Sequence, residues 1–177
     1  VGMEATLQLS GYYRKNRDDY EFDRTRPGIF NPYQHETRVG ALHGEYAVRP
    51  DTSLHYHVSG DVLVDAIDST TLTNTFQSRT YFMFGAGGGY VTSDEKWAID
   101  VHGKFVDTNR DAALFHPSLR IEYRPRSRSN SSTRRYYVEY SRNSQVSGYT
   151  AIGSAPRGLF AGNPDLGVTR SQNLEWG

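Results

Sequence analysis

The sequence offers few side chains in patterns that support chemistry, and a pair of histidines is the first of them. His55 and His57 are two residues apart, so they share one face of an extended strand. Paired imidazoles can bind a transition metal, but such a site needs a third or fourth ligand. His43 does not lie directly opposite the pair in the predicted strands. The sequence therefore predicts hydrogen-bonded histidines, with no metal site and no cofactor.

An acidic run and a glycine-rich run are the other two candidates. Residues 18–23 hold three aspartates and one glutamate, but they lack the glycine and the distal glutamate of an EF-hand loop, so a solvated loop is the simpler interpretation. Residues 85–89 hold four glycines. Tyr90, however, stands where a dinucleotide fingerprint needs its last glycine, and no helical pattern follows. Glycines in a strand more often relieve crowding or permit bending.

The sequence does not predict an enzyme. It contains no cysteine, which removes thiolate metal sites and cysteine nucleophiles. It also contains no nucleophile elbow and no HExxH motif. Lys plus Arg and Asp plus Glu are both 20, so the net charge is zero and gives no argument for a nucleic-acid partner. No stretch of 18 apolar residues is present, which argues against a transmembrane helix.

The elements that position these residues are predicted to be strands. Between Leu54 and Ala66 the even positions are apolar or glycine and the odd positions are almost all polar. This period of two is typical of a strand between two different environments. Seven further segments alternate in the same way: 5–13, 40–48, 82–90, 97–105, 119–123, 136–140 and 174–176. Together with 54–66 they predict an all-β chain of about eight strands.

The connections between these strands alternate in length. Residues 49–53 and 92–96 form tight turns, whereas longer polar loops are predicted over about 15–36, 67–78 and 143–170. There are two exceptions. The connection 124–135 is long although it lies at the same end of the strands as the short turns, and the loop 107–112 is brief although it lies at the end with the long loops. Long strands with short turns at one end and long loops at the other are typical of an antiparallel transmembrane β-barrel.

The aromatic residues are sorted along these strands. Those near the short turns are predicted to face outward, where the aromatic girdle of a membrane interface would lie. We predict this role for seven residues: Tyr46, Tyr56, Tyr90, Trp97, Tyr123, Tyr136 and Trp176.

The end of the sequence carries a longer motif. The segment 163–177 resembles a recurrent element of TonB-dependent outer-membrane receptors, in which a loop of the form N-P-x-L-K-P-E-x-S-x-N-x-E-x-G leads into a barrel strand. The usual Lys-Pro-Glu is replaced here by Gly167, Val168 and Thr169. Seven residues fall at matching offsets: Asn163, Pro164, Leu166, Ser171, Asn173, Glu175 and Gly177.

The resemblance implies a 22-stranded barrel filled by an N-terminal plug, in the outer membrane of a Gram-negative bacterium. Residues 1–177 would then be a β-barrel segment, because no plug sequence and no energy-coupling box are visible in them. The implied function is active uptake of a scarce ligand such as an iron–siderophore complex, cobalamin or an oligosaccharide. The implied partners are outer-membrane lipid, the transported ligand and the TonB system, the last reached through a part outside this chain.

Arginine and aromatic side chains are the usual hot-spot residues of binding surfaces. If the loop after the first strand faces outward, its residues of these types are the ligand-contact candidates: Tyr20, Phe22, Arg24, Arg26, Phe30 and Tyr33.

Two other functions fit the same pattern of strands. The chain could be a complete small barrel of about eight strands with a structural or adhesive role. It could also be a soluble all-β binding module, in which case the aromatic residues assigned to the outer face would pack inside.

Overall fold

The computed structural model describes residues 2–20, 25–26, 33–73, 77–125, 134–156 and 161–177, with Tyr20 described by its backbone alone. These residues form eight strands and one short helix, α1 (Tyr149–Gly153). The strands are β1 (Glu4–Tyr20), β2 (Tyr33–Arg49), β3 (Leu54–Ser69), β4 (Ser78–Val91), β5 (Trp97–Thr108), β6 (Leu114–Tyr123), β7 (Tyr136–Gln145) and β8 (Thr169–Trp176). The prediction of about eight strands is confirmed.

All eight strands belong to one antiparallel sheet, and each pairs with its neighbours in the sequence. The sheet order runs from β1 to β8, and the sheet is not closed, because the described parts of β1 and β8 do not pair with each other. Among the described residues, no helix combines the length and the apolar character needed to cross a membrane.

The first hairpin is longer than predicted. We expected a loop over about 15–36, but β1 and β2 stay paired as far as Tyr20 and Tyr33. Beyond Tyr13 the residues on both faces of this hairpin are largely polar, so the alternation that marks a strand disappears while backbone pairing continues. Lys15 and Glu36 form an ion pair of 3.0 Å across the extension.

The register places the predicted apolar positions of all eight strands on one face. Leu42 is opposite Val62, Phe84 is opposite Phe105, and Val138 is opposite Trp176. Directly opposed residues in an antiparallel pair point to the same side of the sheet. We call this side the apolar face and the other the polar face. No described part of the chain covers the apolar face, and Leu42 remains 68% exposed on it.

The β7–β8 connection folds back over the long-loop end of the sheet. Ser154 forms an isolated bridge with Leu72, and the backbone N–H of Thr73 donates to Gly153 O at 2.7 Å. Leu72 and Ile152 are both buried there. The connection therefore packs against the β3–β4 loop, although β5 and β6 lie between β4 and β7 in the sheet.

Two side chains of the sheet hold this connection in place. Arg79 is only 3% exposed, and its guanidinium donates to Ser147 O at 2.7 Å. The Tyr149 hydroxyl donates to the carboxylate of Asp65 at 2.5 Å. Asp65 and Arg79 are opposite each other on the polar face of β3 and β4. The α1 segment is thus attached to the polar side of the sheet.

Candidate functional site

The predicted girdle residues form a row on the apolar face near the short turns. Six of the seven are between 45% and 74% exposed. Tyr123 is half-buried, because its ring lies 4.7 Å from that of Trp97. The structure therefore brings the seven residues to one face and one end of the sheet. Their role at a membrane interface stays a prediction.

This aromatic row is slanted relative to the register of the sheet. Along β2 to β5 each aromatic residue lies two residues nearer the short turns than the one before it: Tyr46, Tyr56, Tyr90 and then Trp97. The row stays level through β6 and β7, and Trp176 on β8 lies two residues back toward the middle.

The slant has the size expected for tilted strands. From β2 to β7 the row shifts six residues over five steps between strands. At ~3.4 Å per residue and ~4.8 Å between strands, this is about 4 Å per step and a slant of roughly 40°. Strands of transmembrane barrels tilt by about 35–45°. A line through the six aromatic residues from β2 to β7 therefore crosses the strands at an angle within this range.

A second aromatic row runs parallel to the first. On three successive strands a phenylalanine lies eight residues from a girdle residue, on the side of the long loops. The pairs are Phe82 and Tyr90, Phe105 and Trp97, and Phe115 and Tyr123. Eight residues span about 27 Å along a strand. With a tilt of ~40° this becomes about 21 Å across a membrane, close to the apolar band of ~25 Å found on such barrels.

On β1 and β2 the apolar face becomes charged toward the long loops. Lys15, Arg17 and Asp19 follow Tyr13 on the same side of β1, and Glu36 and Arg38 occupy the matching part of β2. Lys15 pairs with Glu36 at 3.0 Å, and Arg17 with Asp19 at 3.3 Å. On these two strands the uncovered apolar band thus ends in charges at the long-loop end.

The polar face carries charges that are paired with one another. Glu122 is only 6% exposed and accepts hydrogen bonds from Arg124 at 2.8 Å and Arg120 at 3.3 Å. Arg120 also donates to Glu139 at 3.0 Å. Buried charges are tolerated when they are paired in this way. This face is therefore suited to a wet or protein-filled interior.

All six histidines lie on the polar face. The His43 imidazole is 2.6 Å from Asp61, and His116 contacts the Ser144 hydroxyl. His57 on β3 and His102 on β5 come together across β4, with Nε2 and Nδ1 at 3.1 Å. No group of three or more His, Asp or Glu among the described residues is arranged to hold a metal ion.

The glycines of β4 make the contact between β3 and β5 possible. A Cβ added to Gly87 would lie 2.6 Å from His102 Nδ1 and 2.9 Å from His57 Cε1. Gly89 similarly leaves room for His55 to approach Asp100 at 3.5 Å. The interpretation of these glycines as relieving crowding agrees with this arrangement. His102 and Asp100 were not predicted as partners of the histidine pair, and the alternating glycines were the only signal for them.

Three of the six ligand-contact candidates can be placed. Tyr20 ends β1 opposite Tyr33, which begins β2, and Arg26 is exposed in the connection between these strands. Phe22, Arg24 and Phe30 lie outside the described residues. The structure therefore brings Tyr20 and Tyr33 to the long-loop end of the sheet, and their contact with ligand stays a prediction.

The motif residues form a turn followed by a strand. Asn163 accepts a hydrogen bond from the backbone of Asp165 at 3.0 Å, and Pro164 O and Leu166 O both accept from Arg110. β8 begins at Thr169 and carries the next three motif residues on its polar side; Gly177 continues the pairing with Tyr137. The polar-side residues are Ser171, Asn173 and Glu175.

Two groups outside the long strands have shifted pKa values. The pKa of Asp94, in the β4–β5 turn, is lowered to about 2, chiefly by the hydrogen bond from the Thr92 hydroxyl and then by Lys96. Burial raises the pKa of Tyr149 far above its usual range, and the hydrogen bond to Asp65 raises it further. Both groups fix connections at the ends of the sheet.

Comparison with known proteins does not assign the chain to a family. No protein-family model matches it, no curated protein matches its sequence, and no solved structure matches its fold. Its function must therefore be inferred from the two faces of the sheet and from the motif at its end.

Proposed function

We propose that this chain is part of the wall of a transmembrane β-barrel in the outer membrane of a Gram-negative bacterium. The barrel would be a TonB-dependent receptor that takes up a scarce ligand such as an iron–siderophore complex, cobalamin or an oligosaccharide. The observation that carries the proposal is the uncovered apolar band between two parallel aromatic rows. This wall would contact lipid with its apolar face and the barrel interior with its polar face.

Lipid is the environment that suits the apolar face best. Transfer of apolar surface out of water is worth about 25 cal/mol per Å². Leu9, Phe84 and Val101 are each more than half exposed on this face, and the band continues across all eight strands. Monomeric soluble proteins rarely expose an apolar patch of more than a few hundred Å².

The open edges of the sheet support a larger barrel. In the hydrocarbon region each unpaired backbone polar group costs several kcal/mol, so a spanning sheet must close on itself. β1 and β8 each pair with one strand only in the described structure. Additional strands would be needed at both edges, which is consistent with the 22-stranded barrel implied by the motif.

The two alternatives receive less support. A complete eight-stranded barrel requires pairing between β1 and β8, and the described strands do not make it. A soluble binding module requires the outward aromatic residues to be packed inside, yet Trp97 is 45% exposed and Trp176 is 74% exposed.

Uptake would use the long-loop end of the wall as its ligand-catching side. Tyr20, Arg26 and Tyr33 lie in or beside the β1–β2 connection at this end. The first part of the motif lies in the β7–β8 connection, which is at the same end; in the receptor family this element lies in an outer loop. Coupling to the TonB system would depend on a plug outside this chain.

Tryptophan fluorescence tests the membrane wall directly. The protein is reconstituted in bilayers whose lipids carry bromine either near the headgroups or deep in the acyl chains. The difference in quenching between wild type and the Trp97→Phe or Trp176→Phe variant gives the contribution of each tryptophan. We expect both to be quenched more strongly by the shallow bromines, because both belong to the interfacial row. Absence of quenching, or recovery of the protein from the soluble fraction alone, would reject the wall.

A mass measurement separates the receptor from a small barrel. The intact polypeptide extracted from native outer membranes should have a mass several times the 20.0 kDa of this chain. Deletion of the gene for this protein should also abolish energy-dependent uptake of the ligand by the bacterium. A mass near 20.0 kDa from that fraction would reject the receptor while leaving the membrane wall intact.

A further inference from the structure

The contact between His57 and His102 depends on an unusual feature of the sheet. These histidines belong to β3 and β5, which are separated by β4, so their backbones are about two strand spacings, or ~9.6 Å, apart. Side chains two strands apart usually have an intervening side chain between them. Gly87 removes that side chain, and the two rings reach each other across it with Nε2 and Nδ1 at 3.1 Å.

The geometry of the two rings matches that of two ligands on one metal ion. For Zn–N distances of about 2.0–2.1 Å in a tetrahedral site, the two ligand nitrogens should be about 3.3 Å apart and the ring centroids about 5.2 Å apart. The observed values are 3.1 Å and 5.1 Å. We propose that His57 and His102 supply two of the ligands of a divalent transition-metal ion such as Zn²⁺, with water in the third and fourth positions.

Two protein ligands leave the remaining coordination positions open to water or to another molecule. In the described structure the two imidazoles share a hydrogen bond. To offer an ion a lone pair from each neutral ring, the donor ring would change tautomer and carry its proton on its other nitrogen. Imidazole suits Zn²⁺, Cu²⁺ and Ni²⁺, whereas Ca²⁺ and Mg²⁺ prefer oxygen ligands. The site would therefore bind an exchangeable ion and select it by ligand chemistry.

Neighbouring side chains give this site a mixed charge. Asp100, two residues from His102, pairs with His55 at 3.5 Å. Glu45 lines a depression of about 370 Å³ together with His55 and His57. Lys104 lies on the other side of His102 along β5. The two nearby carboxylates favour a cation, and they could accept hydrogen bonds from water bound to it.

The inference goes beyond the proposed transport function and does not depend on it, because it uses only the packing of β3, β4 and β5. The test is titration of the full-length protein in detergent with Zn²⁺, using Ca²⁺ as the control ion. We expect saturable Zn²⁺ binding, a loss of at least about tenfold in affinity for His57→Gln and for His102→Gln, and no Ca²⁺ binding at this site. His116→Gln is the matched control, since it lies on the same face but contacts a serine hydroxyl.

A pair of glycine substitutions tests the geometry while keeping every histidine. An alanine at Gly87 would push both rings apart, so Gly87→Ala should also weaken Zn²⁺ binding about tenfold or more. Gly60→Ala should leave it unchanged, because nothing lies within 4 Å of the added Cβ. Equal Zn²⁺ affinity in wild type and Gly87→Ala, or equal losses in His57→Gln and His116→Gln, would overturn the proposal.

Chemical modification of the wild-type protein provides a readout that needs no variant. Diethylpyrocarbonate labels accessible imidazoles, and peptide mapping identifies which ones react. We expect Zn²⁺ to protect His57 and His102 together while leaving the labelling of His116 unchanged. Unchanged labelling of His57 and His102 at saturating Zn²⁺ would overturn the proposal even if the variants failed to fold.

Discussion

Two glycines on the apolar face give a sharp test of how β3 and β4 pack together. Replacing glycine with alanine in a strand usually stabilises a protein by about 0.4–1 kcal/mol, because the unfolded chain loses freedom. Nothing lies within 4 Å of a Cβ added to Gly60, so this gain should be realised there. At Gly88 the added Cβ would lie 2.8 Å from the backbone oxygen of His55 and 3.2 Å from Tyr56 Cβ.

The clash at Gly88 cannot be relieved by rotation of one side chain, because the nearest atom belongs to the backbone. Overpacking of this kind costs about 1–3 kcal/mol. The gain from the unfolded chain is the same in both variants. Gly88→Ala should therefore be less stable than Gly60→Ala by the cost of the clash, about 1–3 kcal/mol. Guanidinium titration in detergent, followed by tryptophan fluorescence, measures the difference. Equal free energies of unfolding for the two variants would refute the close approach of β3 and β4 at this position.

Three further predictions concern polar contacts. Glu122→Gln should cost about 1–3 kcal/mol, because this buried carboxylate accepts from two arginines, whereas the more exposed Glu139→Gln should cost less than ~1 kcal/mol by the same titration. Because its pKa is lowered, the ionised carboxylate of Asp94 stabilises the folded protein at pH values above the ordinary pKa of an aspartate, and this stabilisation is lost as the pH falls toward about 2. Thr92→Ala should raise the pKa of Asp94 in an NMR titration, and an unchanged midpoint would contradict the hydrogen bond from Thr92 as the cause. Tyr149→Phe should weaken the attachment of α1 by about 1.5–3 kcal/mol, seen as faster hydrogen exchange at Ile152, while exchange within the sheet stays the same.

The sequence predicted the strands well because one physical signal dominates them. Between Leu54 and Ala66 the two faces meet different environments, and a period of two is visible without knowledge of any partner strand. The same signal was lost beyond Tyr13, where both faces are polar, so the end of β1 was placed too early. Strand boundaries follow backbone pairing, which side-chain polarity reports only when one face is apolar.

The arrangement of side chains across strands could not be predicted in the same way. His57 and His102 are 45 residues apart, and their contact depends on the register of two hairpins and on the absence of a side chain at Gly87. The slant of the aromatic row has the same origin. Each aromatic residue was assigned to the correct face from its own strand, but the shift of six residues between β2 and β7 is defined only once the strands are aligned.

The edges of the sheet carry the strongest indication that more strands belong to it. Soluble proteins protect exposed edges with proline, lysine or bulges, since unpaired backbone groups invite aggregation. Residues 4–13 of β1 contain no proline and no lysine, and neither does β8. Both edges also retain the apolar face, with Leu9 74% exposed on one and Trp176 74% exposed on the other. An edge with exposed apolar residues and no proline can pair with another strand, as the larger barrel that we propose requires.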